Sequence, residues 1–118
     1  FVEAKAFNLS ENLGRLLENQ VFIELVRRGF DTEKSLFYYR SRNNKETDFV
    51  TRQGARVCQL IQVCYDLSSE RTMKREADSL TECADELNCS NLTIVTMNQK
   101  DTIHKNGYDI NVVPIGIF

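Results

Sequence analysis

The sequence predicts an α/β domain in which helices cover both faces of a mixed sheet. Two segments with helical spacing alternate with short runs rich in β-branched and aromatic residues, in the order helix, three strands, helix, strand, strand. Short turns between the first three strands indicate antiparallel pairing, whereas a long helix between the third and fourth indicates a parallel crossover. At 118 residues and 42% hydrophobic content, one domain with one core is expected.

The first helix is predicted from about Ser10 to the glycine at position 29, where such a residue often ends a helix. Its second half is apolar almost all round, which predicts a central, buried position. Leu36–Arg40 is a short run of apolar and aromatic residues, typical of a strand. Apolar residues recur along the helix at helical spacing, at Leu13, Leu16, Leu17, Val21 and Leu25.

Two further strands are predicted, Glu46–Arg52 and Arg56–Tyr65, separated by a tight turn that contains Gly54. A polar loop leads to a second helix, Glu70–Leu87. Its apolar residues step by four and three positions, which indicates an amphipathic helix with one buried face. These residues are Met73, Ala77, Leu80, Ala84 and Leu87.

The C-terminal third is predicted to hold a buried strand and an edge of the sheet. Leu92–Thr96 is continuous and apolar, as expected of a strand covered on both faces. Ile103–Gly107 is interpreted as a turn or a short helical piece, and Ile110–Val113 as the last strand.

Composition excludes several classes of protein. The sequence has no apolar run long enough to span a membrane, and its four cysteines lack the paired spacing of zinc sites, so we expect reduced thiols in a cytoplasmic protein. Residues 27–56 carry eight basic and four acidic side chains within a chain of net charge −2. That segment suits either a local nucleic-acid contact or ordinary solvated strand edges. No phosphate-binding glycine-rich loop is present, so this sequence does not bind ATP by that route.

Oxygen-bearing side chains on three elements are predicted to meet. Glu18 lies on the first helix, Asp48 on the second strand and Gln62 on the third. Strand alternation places Asp48 on the face of Val50, opposite Phe49, and adjacent strands bring it towards Gln62. Oxygen ligands suit Mg²⁺, which can orient a water molecule for attack on phosphate.

This ordered set resembles the PD-(D/E)XK nuclease superfamily, whose restriction-endonuclease-like core has the order αβββαβ. More narrowly, the sequence resembles a domain of unknown function at the C-terminus of prokaryotic AAA-type ATPases. The resemblance implies a linker, or the end of a preceding ATPase module, over residues 1–9, and the nuclease-like domain over residues 10–118. The matching stretches are Gly14–Asn19, Tyr38–Arg40, Glu46–Val50, Ile61–Tyr65 and Thr72–Glu76, with Leu80.

In that superfamily Glu18, Asp48 and Gln62 match metal-binding positions, and Cys64 stands where the catalytic lysine is expected. A neutral thiol cannot supply a fixed positive charge to the attacked phosphate. The resemblance makes Lys74, or its neighbour Arg75, a candidate replacement, whereas their positions away from the apolar stripe of the second helix favour solvated side chains. Asp48, Gln62, Cys64 and Lys74 are therefore the predicted catalytic positions.

The main hypothesis is a catalytically degenerate accessory domain of an ATPase that binds nucleic acid or a partner protein. One alternative is an active Mg²⁺-dependent DNA endonuclease with a migrated lysine or arginine, and another is a protein–protein interaction module. Glu76 flanks the buried face of the second helix and is predicted to be a structural carboxylate paired with Arg40 or Arg15.

Overall fold

A computed structural model describes residues 9–118, apart from the side chain of Ser10. Residues 1–8 of the predicted linker lie outside the described residues, and Leu9 is the first residue of a helix. The elements are α1 (Leu9–Arg27), β1 (Leu36–Arg40), β2 (Glu46–Gln53), β3 (Arg56–Val63), α2 (Glu70–Leu87), β4 (Leu92–Thr96), β5 (Asp101–Lys105) and β6 (Tyr108–Pro114). Neither helix of the described part is long and apolar enough to cross a lipid bilayer.

The strands form one mixed sheet in the order β1-β2-β3-β4-β6-β5. The first three strands pair antiparallel, as their short turns predict. β3 and β4 pair parallel across the α2 crossover, and β4 and β6 are also parallel. The predicted α/β class with a mixed sheet is therefore confirmed.

The two helices cover opposite faces of the sheet. Ile61 of β3 packs with α1, whereas its neighbour Leu60 packs with α2. Successive strand residues point to opposite faces, so the two apolar clusters are separated by the sheet. All five residues of β4 are buried, as predicted for a strand covered on both sides. The predicted central, buried position of the second half of α1 is wrong for one side of the helix, because Ile23 and Val26 are 50% and 45% exposed.

Helix α2 begins and ends at recognisable caps. The Ser69 side chain accepts a hydrogen bond from the backbone N–H of Thr72, and Asn88 ends the helix in the left-handed conformation. The predicted apolar face is confirmed, with Ala77, Leu80 and Ala84 buried against the sheet.

The interpretation of Ile103–Gly107 as a turn or helical piece is wrong for most of that segment. Residues 101–105 form the edge strand β5, paired antiparallel with β6. Only Asn106 and Gly107 form the turn, and both have positive φ angles, the combination that a tight hairpin needs. The strand lies at an edge and is largely exposed, so it lacks the apolar pattern that marks buried strands.

The side-chain alternation predicted for β2 is also wrong around Asp48. Thr47 pairs with Tyr39 and Val50 pairs with Phe37, so two residues of β2 oppose one residue of β1. This bulge reverses the alternation, because the extra residue shifts every following side chain to the other face. Phe49 consequently packs on the α1 side of the sheet, and Val50 packs on the α2 side. Asp48 lies on the same side as Phe49, because its side chain is bonded to Glu18 of α1.

Candidate functional site

Glu18, Asp48 and Gln62 meet in one cleft at the end of β2 and β3. A cavity of about 510 Å³ lies there between α1, the two strands and the first half of α2. The three residues therefore converge as the sequence predicts. The charged and polar residues around them are Glu11, Arg15, Asn44, Lys45, Glu46, Arg75, Glu76 and Ser79.

Asp48 is held between a backbone donor and a second carboxyl group. Its Oδ2 accepts a hydrogen bond of 2.8 Å from the N–H of Val63, and its side chain is hydrogen-bonded to Glu18. The pKa of Asp48 is raised to about 7, mainly by burial and also by the charge of Glu18, while the hydrogen bond from the Val63 N–H opposes the rise. The buried Asp48 carboxyl group is thus only partly ionised near neutral pH.

Gln62 uses both ends of its amide to join β3 to β2. Its Oε1 accepts from the N–H of Asp48 at 3.0 Å, and its Nε2 donates to the carbonyl of Glu46 at 3.1 Å. The backbone pairing of the two strands reaches only Phe49 opposite Ile61, so these side-chain bonds continue the connection beyond it. A carboxylate could not make the second bond, because an ionised carboxylate has no hydrogen to donate.

Cys64 presents a neutral thiol at the position where the resemblance implies a lysine. The Cys64 Sγ is 3.4 Å from the carbonyl oxygen of Asp66, to which the thiol donates. Burial raises the pKa of the Cys64 thiol to about 11, and the charge of Glu76 contributes in the same direction. Cys64 is not among the residues that line the cleft. It therefore supplies no positive charge to a group bound there.

The structure does not bring Lys74 to the cleft. Its Nζ lies 2.9 Å from Asp78 on the next turn of α2, and the side chain is 68% exposed. Arg75 lines the cleft instead and forms an ion pair of 3.4 Å with Glu76. Arg15 and Lys45 also line the cleft, and the sequence did not suggest a role there for Lys45, which lies just before β2.

The partners predicted for Glu76 are wrong, because two other carboxylates compete for them. Arg40 pairs with Glu46 at 3.0 Å, and Arg15 pairs with Glu11 at 3.7 Å. Glu76 itself lies on the wall of the cleft. Its spacing on α2 marks it as a residue at the border of the buried face, but nothing in that spacing indicates the cleft.

The fit of a divalent cation depends on how many ligands face a common point. The carboxylates of Glu18 and Asp48 have the oxygen chemistry that Mg²⁺ prefers. However, no three His, Cys, Asp or Glu side chains between residues 9 and 118 are placed to hold one ion together. The amide oxygen of Gln62 already accepts from the backbone. The cleft as folded therefore does not fit a metal centre.

A second cavity, of about 640 Å³, opens from the cleft between α1 and the strands β1 and β2. It shares Arg15, Glu18, Glu46 and Asp48 with the first cavity. Phe22 and Phe49 stack along its wall, with ring centroids 6.3 Å apart. Strand bulging brings Phe49 to this side, so the sequence pattern alone could not place it here. We call this cavity the aromatic groove.

Comparison with known proteins adds a family match. The family described as "Domain of unknown function (DUF4143)" matches residues 13–118. An uncharacterized protein of Methanocaldococcus jannaschii, MJ1544, is 38% identical over 115 residues, which cover 92% of this chain. The chain spans about a quarter of the length of that relative.

Proposed function

The chain belongs to the DUF4143 family of domains of unknown function, and we propose that it is a catalytically degenerate, nuclease-like accessory domain of an ATPase. In this role the cleft binds a partner and does not cleave phosphodiester bonds. The proposal combines the resemblance to PD-(D/E)XK nucleases with the cleft that gathers Glu18, Asp48 and Gln62. An ATPase module elsewhere in the longer polypeptide is part of the same proposal.

The observation that carries the proposal is the state of Cys64. Phosphoryl transfer depends mainly on positioning and on positive groups that stabilise charge on the phosphate in the transition state. A thiol with a pKa of about 11 is uncharged at neutral pH, and its hydrogen bond goes to the Asp66 carbonyl. The residue at the expected lysine position thus carries no positive charge, and its hydrogen bond is directed to the Asp66 carbonyl group.

The resemblance implies a carboxylate more often than an amide at the position of Gln62, and the amide found here supports the same proposal. A glutamate would add a third carboxylate to the site, whereas the amide bonds the backbone of both Glu46 and Asp48. The side chain therefore serves the junction of β2 and β3, and its oxygen is already engaged. Loss of a metal-binding carboxylate and loss of the lysine are consistent with a scaffold retained for binding.

A plasmid-nicking assay with Mg²⁺ or Mn²⁺ tests the proposal. We expect no cleavage by the wild-type protein or by Cys64→Met, which has a longer but neutral side chain. Cleavage gained only in Cys64→Lys would support a scaffold that lacks little beyond its charge stabiliser. Wild-type cleavage that is lost in Asp48→Asn would overturn the proposal, because a degenerate site cannot depend on that carboxylate for turnover.

A second candidate function, an active Mg²⁺-dependent endonuclease, is favoured by one observation. Lys45 and Arg75 line the cleft, so a cation other than Lys74 is near the predicted catalytic positions. This candidate requires that Lys45→Ala or Arg75→Ala removes wild-type cleavage. Lys74→Ala serves as the matched control. Lys74 pairs with Asp78 outside the cleft, so this substitution should leave cleavage unchanged.

A further inference from the structure

We propose that the aromatic groove receives a basic side chain, an arginine or a lysine, from a partner protein. The inference rests on the proposed function, in which the cleft binds and does not hydrolyse, and it names the chemistry of what is bound. The groove supplies an aromatic wall for the aliphatic part of such a side chain and a pair of carboxyl groups for its charged end.

The shape of the site suits an elongated ligand. The groove and the cleft are neighbouring cavities of about 640 and 510 Å³ that share four lining residues. Glu18 and Asp48 stand where the two cavities meet. A side chain that enters along the groove therefore reaches these carboxyl groups with its terminal atoms.

The charges around the aromatic groove are complementary to a cation. Three carboxyl groups and one guanidinium line the aromatic groove, from Glu18, Glu46, Asp48 and Arg15. Arg15 pairs with Glu11, and Glu46 pairs with Arg40. Among residues 9–118, no Lys, Arg or His nitrogen lies within ion-pair distance of Glu18 or Asp48. These two groups are left to face each other, and a ligand cation would compensate both.

The aromatic wall favours an organic cation over a small hydrated ion. Phe22 and Phe49 stack with an interplanar angle of 26°, and Tyr38 completes the wall on the β1 side with 54% of its surface exposed. Aromatic faces attract ammonium and guanidinium groups and also cover the methylene groups behind them. A magnesium ion would gain nothing from these rings, and three suitable metal ligands are lacking in the described residues.

A nucleic acid is the less suitable occupant. Its phosphates would meet three carboxyl groups, of Glu18, Glu46 and Asp48, in a groove lined by one guanidinium, that of Arg15. Proteins that bind phosphate backbones do so with basic surfaces that release counterions. Saturable binding of DNA in the groove would therefore contradict the inference.

An NMR titration of the isotope-labelled protein with blocked tripeptides tests the inference. The probes are acetyl-Gly-X-Gly-amide with arginine, lysine or the uncharged norleucine at X. We expect saturable shifts of the backbone amides of Glu18, Phe22, Tyr38 and Asp48 with the two basic peptides. Norleucine matches the stem of lysine without its charge, and we expect it to bind more weakly than either.

Substitutions then separate binding from folding. Glu18→Gln and Asp48→Asn are isosteric, and each should weaken binding of the arginine peptide about tenfold, as for loss of a charge-assisted hydrogen bond. Tyr38→Ala should weaken it about threefold, the size of an exposed cation–π contact. Glu33→Gln makes the same change of charge on an exposed turn before β1 and should leave the affinity unchanged.

The outcomes are distinguishable from failure of the proposed function. Equal binding of norleucine and arginine, no binding of either basic peptide, or saturable binding of a 12-nucleotide DNA at these residues would each overturn the inference. A Mg²⁺ titration that shifts the same amides while the basic peptides do not would also overturn it. Plasmid cleavage by the wild-type protein would instead overturn the degenerate function on which the inference rests.

Discussion

Replacing Asp48 by asparagine should stabilise the protein at alkaline pH, and the gain should follow the ionisation of this carboxyl group. The pKa of Asp48 is raised from 3.8 to about 7 in the folded protein, first by burial and then by Glu18. Between these two values the folded state holds a proton that the unfolded chain has released. Stability therefore falls as pH rises through this window, and the loss is complete above about pH 8.

The structure sets the size of the effect. Each unit of pKa difference corresponds to about 1.4 kcal/mol, so ionised Asp48 costs roughly 4 kcal/mol of folding free energy above pH 8. Asparagine carries no charge, its Oδ1 can still accept from the Val63 N–H, and its Nδ2 can donate to Glu18. We expect Asp48→Asn to recover at least half of the cost, about 2 kcal/mol, at pH 8.5. Below about pH 4 the gain should vanish, because both states of the wild type are then protonated.

Urea unfolding at pH 4, 6 and 8.5 measures the difference in free energy of unfolding between Asp48→Asn and wild type. Far-UV circular dichroism is the signal, because the sequence contains no tryptophan whose fluorescence could be followed. Asp66→Asn is a matched control of opposite sign. The N–H of Ser68 lowers the pKa of Asp66, so its charge stabilises the folded state and the substitution should weaken stability at neutral pH. An Asp48→Asn protein that is no more stable than wild type at pH 8.5 would refute the raised pKa of Asp48 on which this prediction depends.

Three further predictions concern the metal, the thiol and the core. At 5 mM Mg²⁺ and pH 8.5 the free energy of unfolding should rise by less than about 1 kcal/mol, which corresponds to a Kd no tighter than about 1 mM; a larger rise that is lost in Asp48→Asn would contradict the absence of a metal centre. Because the pKa of Cys64 is about 11, its alkylation by iodoacetamide at pH 7.5, followed by peptide mass spectrometry, should be about a hundredfold slower than that of a thiol with pKa 9.0. Leu80→Ala, at a fully buried position of α2, should lower the free energy of unfolding by about 2–5 kcal/mol, whereas Leu16→Ala on the exposed side of α1 should change it by less than about 0.5 kcal/mol in the same urea assay.

Elements whose signal is local were predictable from the sequence. The α2 helix carries a regular apolar stripe with Ser69 before it and Asn88 after it, and its predicted bounds match the structure. β4 is likewise marked by five consecutive residues that are all buried. β5 was missed because an exposed edge strand packs on little and so needs no apolar pattern. Only the Asn106–Gly107 pair, with its preference for positive φ, could have indicated the hairpin.

The sequence predicted which residues gather at the candidate site, but it did not predict the hydrogen bonds that they form. Helical and strand spacing suffice to bring Glu18, Asp48 and Gln62 into one cleft. The bulge in β2 depends on how β1 and α1 pack around it, and it decides that Asp48 and Phe49 share a side. Arg75 and Lys45 reach the cleft through tertiary packing alone, so no spacing rule distinguishes them from Lys74.

The side chains of Gln62 and Asp48 belong to the candidate site and also hold two strands of the sheet together. Beyond Phe49 and Ile61, β2 and β3 are joined by the Gln62 amide and by the Asp48 carboxyl group, each of which bonds the backbone of the other strand. A glutamate at position 62 would lose the donor to Glu46 and add charge beside Asp48, whose pKa is already raised to about 7. The Gln62 amide keeps the donor to Glu46 and adds no charge beside Asp48. It therefore suits a cleft that binds a partner without hydrolysis.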